Sequence, residues 1–370
     1  MRIAFMHRSL AGGGTEADLR RMASGLAARG HELHVFCARA DADVPGAVVR
    51  RVPIVRAGRV ARLLSFALRA PRAVAGERWD VVVGFGRTTR QDVVRVGGGT
   101  HRTYLARMEA AGLRARARGP YHRAILWLER RQFAPGAYRR VLAVSARVRD
   151  EVVRDYQVPP ARVAVVYNGV DLARFDPARR ATDGPAMRRA LGIADGRRVC
   201  VAIGSGFARK GFDLLVRLWR EMPPAGTTLV LVGDDERLPR WRRDTAALAD
   251  RVVVTGPRPD VDVILAAADV ACVPSRQEAF GNVVLEACAA GVPVVTSRRA
   301  GAAELLDGPL AALVVDDPED LPALAAALAR ALGPEGAALA RAARARAETL
   351  PWARHIDGVE ALFAEVAGAR

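Results

Sequence analysis

Short apolar runs alternate with helix-period stretches and glycine-rich turns along this chain. Arg2–His7 is the first apolar run, followed by Gly12-Gly13-Gly14 and a helical pattern from Thr15 to Arg29 that Gly30 stops. Leu33–Cys37, Val81–Phe85, Asp92–Val96 and Val141–Ser145 are further predicted strands. The run from Val163 ends in Asn168-Gly169-Val170-Asp171, and a looser stretch with Pro177, Asp183, Gly184 and Pro185 predicts a linker. The alternation then resumes at Val199–Ile203, Thr228–Val232, Val252–Thr255, Val270–Val273, Val292–Thr296 and Ala312–Val315. Strands alternating with helices predict α/β architecture with parallel sheets covered on both faces. The expected arrangement is two Rossmann-like domains, 1–168 and 169–350, facing each other across a cleft. A last helix in 351–370, patterned over Trp352–Ala367, can pack back on either domain, crossing to the first being one of the two options. In such sheets ligands bind at the carboxyl ends of the strands.

At 370 residues, 51% of them apolar, the chain suits two packed domains. Cys37, Cys200, Cys272 and Cys288 lie far apart in apolar runs, which reads as reduced, buried thiols of a cytosolic protein. Met1–His7 leads directly into a strand pattern, so no signal peptide is expected. No uncharged apolar run reaches the roughly 18 residues that spanning a bilayer needs.

The net charge of +17 is unevenly placed. Residues 1–170 hold 31 arginines against 13 acids, whereas residues 171–370 hold 26 basic against 27 acidic groups. Within 102–140, ten arginines meet only Glu109 and Glu129, interleaved with Tyr104, Leu113, Tyr121, Ile125, Leu126, Trp127, Leu128 and Phe133. That mixture suits an anionic membrane surface, which is the partner expected here. Ordinary solvated helices in an arginine-biased chain would give the same pattern, and nucleic acid is the weaker fit.

Of 57 basic side chains only Lys210 is a lysine. Lysine is a compact, flexible point charge and arginine a planar fork, so the exception draws attention to Gly204-Ser205-Gly206-Phe207-Ala208-Arg209-Lys210-Gly211. Two cations beside backbone amides at a strand-to-helix turn can hold a diphosphate. Cations at a helix start oppose its dipole, which disfavours a merely structural role. Gly12–Gly14 is a second candidate anion turn, though its spacing is not that of a nicotinamide or flavin site. Pro274-Ser275-Arg276-Gln277-Glu278-Ala279-Phe280-Gly281-Asn282-Val283-Val284-Leu285-Glu286-Ala287, trailed by Gly291-Val292-Pro293-Val294-Val295, is the richest segment. Its spacing puts Glu278 in a loop above the sheet and Glu286 on the second turn of a helix. A carboxylate there accepts two hydrogen bonds from ribose or sugar hydroxyls.

Glu278 and Glu286 around Phe280-Gly281, with Gly13-Gly14, Asn168–Asp171 and Arg209-Lys210 in order, resemble the retaining glycosyltransferases of family 4, which have the GT-B fold. The resemblance spans nearly the whole chain and is strongest to the lipopolysaccharide core glucosyltransferase I group. It implies a nucleotide diphosphate sugar donor, UDP-glucose in that group, with no further cofactor. Arg209 and Lys210 would bind the diphosphate, Glu286 the ribose and Glu278 the sugar. Phe280, Gly281 and Asn282 would supply amides, with Gly204, Ser205 and Arg258 also on the donor. Gly13 and Gly14 would face the phosphates from the other domain. His101 resembles the histidine placed beside the transferred sugar, although a buried structural histidine fits as well. Asp18 and Asp92 would meet the acceptor, a lipid-linked glycan at the inner face of the cytoplasmic membrane. The resemblance also implies an aspartate near Gly98, which this chain lacks, so the acceptor-side acid or base is left open. Asp41-Ala42-Asp43 and Asp260-Val261-Asp262 resemble a metal motif of the other large glycosyltransferase fold. The first is read as loop and Asp260 as a helix cap, so no metal is expected. A cytosolic transferase with a soluble acceptor and a nucleotide-sugar epimerase of the same fold are the alternatives.

Overall fold

A computed structural model describes residues 1–10, 13–41, 43–113 and 119–369. Gly12, Ala42 and the 114–118 part of the basic segment lie outside the described residues. The chain forms two compact units, one of Met1–Asn168 with the terminal helix from Ala353 on, the other of Gly169–Trp352.

Among its described residues the first unit holds seven strands: β1 (Arg2–Met6), β2 (Glu32–Cys37), β3 (Ala47–Arg51), β4 (Val81–Gly84), β5 (Val93–Val96), β6 (Arg140–Ala143) and β7 (Val163–Val165). They pair in the order β3-β2-β1-β4-β5-β6-β7, every pair parallel. A parallel sheet needs crossover cover on both faces, so its inner strands are continuous apolar runs. Helices α1 (Gly14–Ala27), α2 (Gly58–Val74), α3 (His101–Ala110), α4 (Pro120–Gln132) and α5 (Ala146–Tyr156) supply the cover. The spacing that predicted α1 has a packing cause, since Leu19, Met22, Ala23 and Leu26 are all buried against the sheet. β3 was not predicted: it is an edge strand with none of its five side chains fully buried and Val48 53% exposed, and its apolar start gives way to Arg50-Arg51.

The last helix, Trp352–Gly368, packs Ile356, Val359, Leu362, Phe363 and Val366 into the first unit's core. Phe363 meets Phe5 edge-on, with ring centroids 6.4 Å apart.

The second unit carries β8 (Arg198–Ile203), β9 (Thr227–Val232), β10 (Val252–Gly256), β11 (Val270–Val273), β12 (Val294–Ser297) and β13 (Val314–Val315). Their order is β10-β9-β8-β11-β12-β13, again parallel throughout. The order reverses direction after β8, so the turns following β8 and β11 leave the same edge side by side. That is where an open parallel sheet leaves room for a ligand. The predicted linker contains two short helices, Arg179–Thr182 and Gly184–Ala190. Among the described residues no helix is long and apolar enough to cross a membrane.

Candidate active site

In the second unit, β8 runs into Gly204 and the four-residue helix Phe207–Lys210, which turns the chain back over the sheet edge. Gly204 has φ +157°, and a Cβ there would stand 2.8 Å from Lys210 Cε. Only glycine leaves room for the lysine stem to lie along this turn. Lys210 is 6% exposed and its ammonium pairs with Glu278. Arg209 Nη1 donates to the same Glu278 oxygen at 2.9 Å and to the Gln277 carbonyl at 2.9 Å, while Nη2 donates to the Ser205 carbonyl at 3.2 Å. Two cations from one loop thus converge on one carboxylate from the other.

Glu278 is held by its backbone. Its N–H donates to the Arg299 carbonyl and its carbonyl accepts from Gly301, each at 3.2 Å. Phe280, buried, anchors the next residue pair by accepting from Ala302 at 2.8 Å. Gly281 then opens the helix Asn282–Ala289 in a left-handed conformation, φ +95°, which side chains other than glycine's rarely adopt. Glu286 lies on that helix, where its charge also acts on Lys210.

Burial pushes the Lys210 pKa down, and Glu278 only partly offsets it because Arg209 stands on the same carboxylate. Burial pushes Glu278 the other way, yet the charges of Lys210 and Arg209 outweigh it and hold its pKa at about 2. Burial wins at the lysine and charge wins at the glutamate because one carboxylate is shared by two cations.

Arg276, absent from the sequence-based candidates, ties these loops together. It is 3% exposed, and its guanidinium reaches Asp213 at 2.6 and 2.8 Å, Glu319 at 2.6 and 3.1 Å and the Ala208 carbonyl at 2.6 Å. Its own N–H donates to the Arg209 carbonyl at 2.9 Å. Nothing in local spacing flags it, because its partners are 63 and 43 residues away. Arg258 is not drawn into the cluster: it turns onto Asp260 at 2.8 Å. Asp262 of the same Asp-x-Asp span pairs with Arg174 and Arg179.

In the first unit Gly13 precedes α1 with φ +137° and Gly14 has open space where a Cβ would stand. His101 begins α3 at the carboxyl edge of the sheet, beyond β5. Its N–H donates to both oxygens of buried Glu129 at 3.0 and 3.1 Å, and its Nε2 lies 2.9 Å from His122 Nδ1. Burial, then the charge of Arg87 and the neighbouring His122, push the His101 pKa down to about 3, so the ring is neutral.

The two aspartates expected at the acceptor have different settings. Asp18 is buried, 3.0 Å from Arg95 Nη2 and 3.1 Å from Asn168 Nδ2, inside the unit's polar core. Asp92 precedes β5 and accepts the Val82 N–H at 2.8 Å, at the opposite sheet edge from His101. For Asp92 the sequence pattern does not say which end of a strand a flanking residue joins.

Two family models match the chain, "Glycosyltransferase Family 4" over residues 12–174 and "Glycosyl transferases group 1" over residues 197–333. The lipopolysaccharide glucosyltransferase WaaG of Escherichia coli is 27% identical over 90% of each chain. The crystal structure of WaaG superposes with a TM-score of 0.78 at 24% identity, covering 96% of this chain and 97% of that one. The D-inositol 3-phosphate glycosyltransferase of Mycobacterium avium is 31% identical over 95% of this chain and 88% of its own. Anabaena HepE, crystallised with UDP-glucose, has the same fold, with a TM-score of 0.73 at 20% identity and all of both chains covered. The two parallel sheets, the converging cations and carboxylate, and these relatives agree: the chain is a glycosyltransferase of GT-B fold and belongs to glycosyltransferase family 4.

Proposed function

We propose that the protein transfers a hexose, with retention of anomeric configuration and without a metal, from UDP-glucose to a hydroxyl of a membrane-associated glycan such as lipopolysaccharide core. The observation that carries this is the convergence of Arg209 and Lys210 on Glu278 at the carboxyl edge of the second sheet. As the bond from the anomeric carbon to the diphosphate breaks, negative charge grows on the β-phosphate. Arg209 and Lys210 are placed to stabilise that charge. Glu278 then turns to the sugar hydroxyls and Glu286 to the ribose. The acceptor oxygen bonds to the anomeric carbon on the face the phosphate leaves, and its proton passes to a departing phosphate oxygen.

The resemblance to WaaG supports glucose and a lipopolysaccharide acceptor. The basic segment 102–140 supports docking on the inner face of the cytoplasmic membrane. In it Trp127 is 40% exposed, with the Arg131 guanidinium 5.2 Å from its ring, and Arg123 and Arg130 are exposed. A second reading, a small soluble anionic acceptor, is favoured by the 31% identity to the inositol-phosphate enzyme.

A charge-assisted hydrogen bond is worth about 1.5–3 kcal/mol. Lys210→Ala is therefore expected to lower turnover of UDP-glucose by roughly ten- to a hundredfold. Wild-type turnover in that variant would remove Lys210 from the mechanism.

A further inference from the structure

His101 is gripped on several sides by first-unit residues. Glu129 takes its backbone N–H and is itself fixed by Tyr156 and by Arg87, whose Nη2 lies 2.9 Å away. Tyr104 stacks on one face of the ring, with centroids 5.4 Å apart and planes at 22°. His122, in the first turn of α4, lies nearly parallel, with centroids 5.1 Å apart and planes at 8°. Its Nδ1 meets His101 Nε2 at 2.9 Å.

Two neutral imidazoles bonded in this way share one proton between the facing nitrogens, so one donates and the other accepts. Burial holds both rings below the usual histidine range, so the bond joins neutral rings. If His101 Nε2–H donates to His122 Nδ1, both rings keep their proton on Nε2, the tautomer that isolated imidazole side chains favour. The opposite arrangement needs the less favoured form in both rings. His101 Nδ1 has no partner among the described residues and is left as an acceptor.

We propose that His122 is a positioning residue for His101: it accepts the Nε2 proton, fixes the tautomer, and leaves His101 Nδ1 to accept a hydrogen bond from a substrate hydroxyl. A ring nitrogen's role is set by the bond the other nitrogen makes. This rests on the reading of His101 as a residue beside the transferred sugar. It also gives His122, which lies in the basic segment, a task apart from charge.

The test compares His122→Phe with His122→Asn. Asparagine Oδ1 can take the place of imidazole Nδ1 as acceptor, whereas phenylalanine offers a ring with no acceptor. Nitrogen-15 spectra of the full-length protein without substrate should show His101 with a protonated Nε2 and a bare Nδ1 in the wild type and in His122→Asn. In His122→Phe the His101 tautomers should mix. Turnover of UDP-glucose should fall about tenfold in His122→Phe, with the KM for UDP-glucose within about twofold of wild type, and recover in His122→Asn. Unchanged His101 signals in His122→Phe, or equal losses in the two variants, would overturn the proposal. Failure of the wild type to turn over any nucleotide sugar would instead strike the proposed function, and the nitrogen spectra would still decide whether His122 sets the tautomer.

Discussion

Glu278 stands in a competition that a donor must resolve. With the site empty, its carboxylate holds Arg209 and Lys210, the groups expected to receive a diphosphate. Glu278→Gln removes their partner and leaves a buried lysine beside an arginine. Breaking a buried pair typically costs about 3–5 kcal/mol. The variant is therefore expected to melt below the wild type, to gain more melting temperature from UDP than the wild type does, and to transfer sugar poorly. Calorimetry with UDP checks this, and a UDP shift no larger than wild type contradicts it. The pH dependence carries a defined sign. Glu278 is depressed from 4.5 to about 2, so its stabilisation is present above about pH 4.5 and is lost as pH falls toward 2. Lys210 is lowered from 10.5, so its charged form weighs against the fold at neutral pH, and that cost fades as pH rises through the lysine range. The acid limb of the stability curve should accordingly flatten in Glu278→Gln.

The loops that carry the site are built from two kinds of signal, and only one is local. Runs such as Val270–Val273 and the glycines at 204 and 281 were legible because burial on both faces and close backbone approach dictate residue type directly. Glu278 and Glu286 were legible as a pair because a loop and the next helix turn lie near each other in sequence. Arg276, Glu129 and His122 were not, since their roles come from partners brought together by topology. Asp92 shows the same gap from the other side, because pattern finds a strand but not which of its ends a flanking side chain will serve. Arg276→Met tests the tie between the two donor loops. Asp213 and Glu319 are partly exposed and can rehydrate, so the expected loss of stability is modest, about 1–3 kcal/mol. Turnover should fall about tenfold or more if the tie sets the distance between Lys210 and Glu278. Stability loss without any change in turnover would confine Arg276 to folding.

At the scale of the whole molecule, excess positive charge belongs to residues 1–170 and the converging cation–carboxylate cluster to the second unit. Binding to anionic vesicles is thus expected to reside in the first unit and to weaken with salt. A basic side chain at a membrane surface is worth about 1 kcal/mol, so Arg123→Gln and Arg130→Gln should each weaken binding about fivefold at low salt. Sedimentation with phosphatidylserine vesicles reads this, and equal binding by all three proteins would contradict docking through 102–140.

Arg209, Lys210 and Glu278 are expected to form a nucleotide diphosphate site. A panel of nucleoside diphosphates, scored by melting temperature on wild type and Lys210→Ala, addresses it most directly. A ligand that binds only the folded state stabilises by about 2.7 kcal/mol at a hundredfold excess over Kd. UDP is expected to raise the melting temperature clearly in the wild type and much less in Lys210→Ala. No rise with any nucleoside diphosphate, or an equal rise in both proteins, would contradict it.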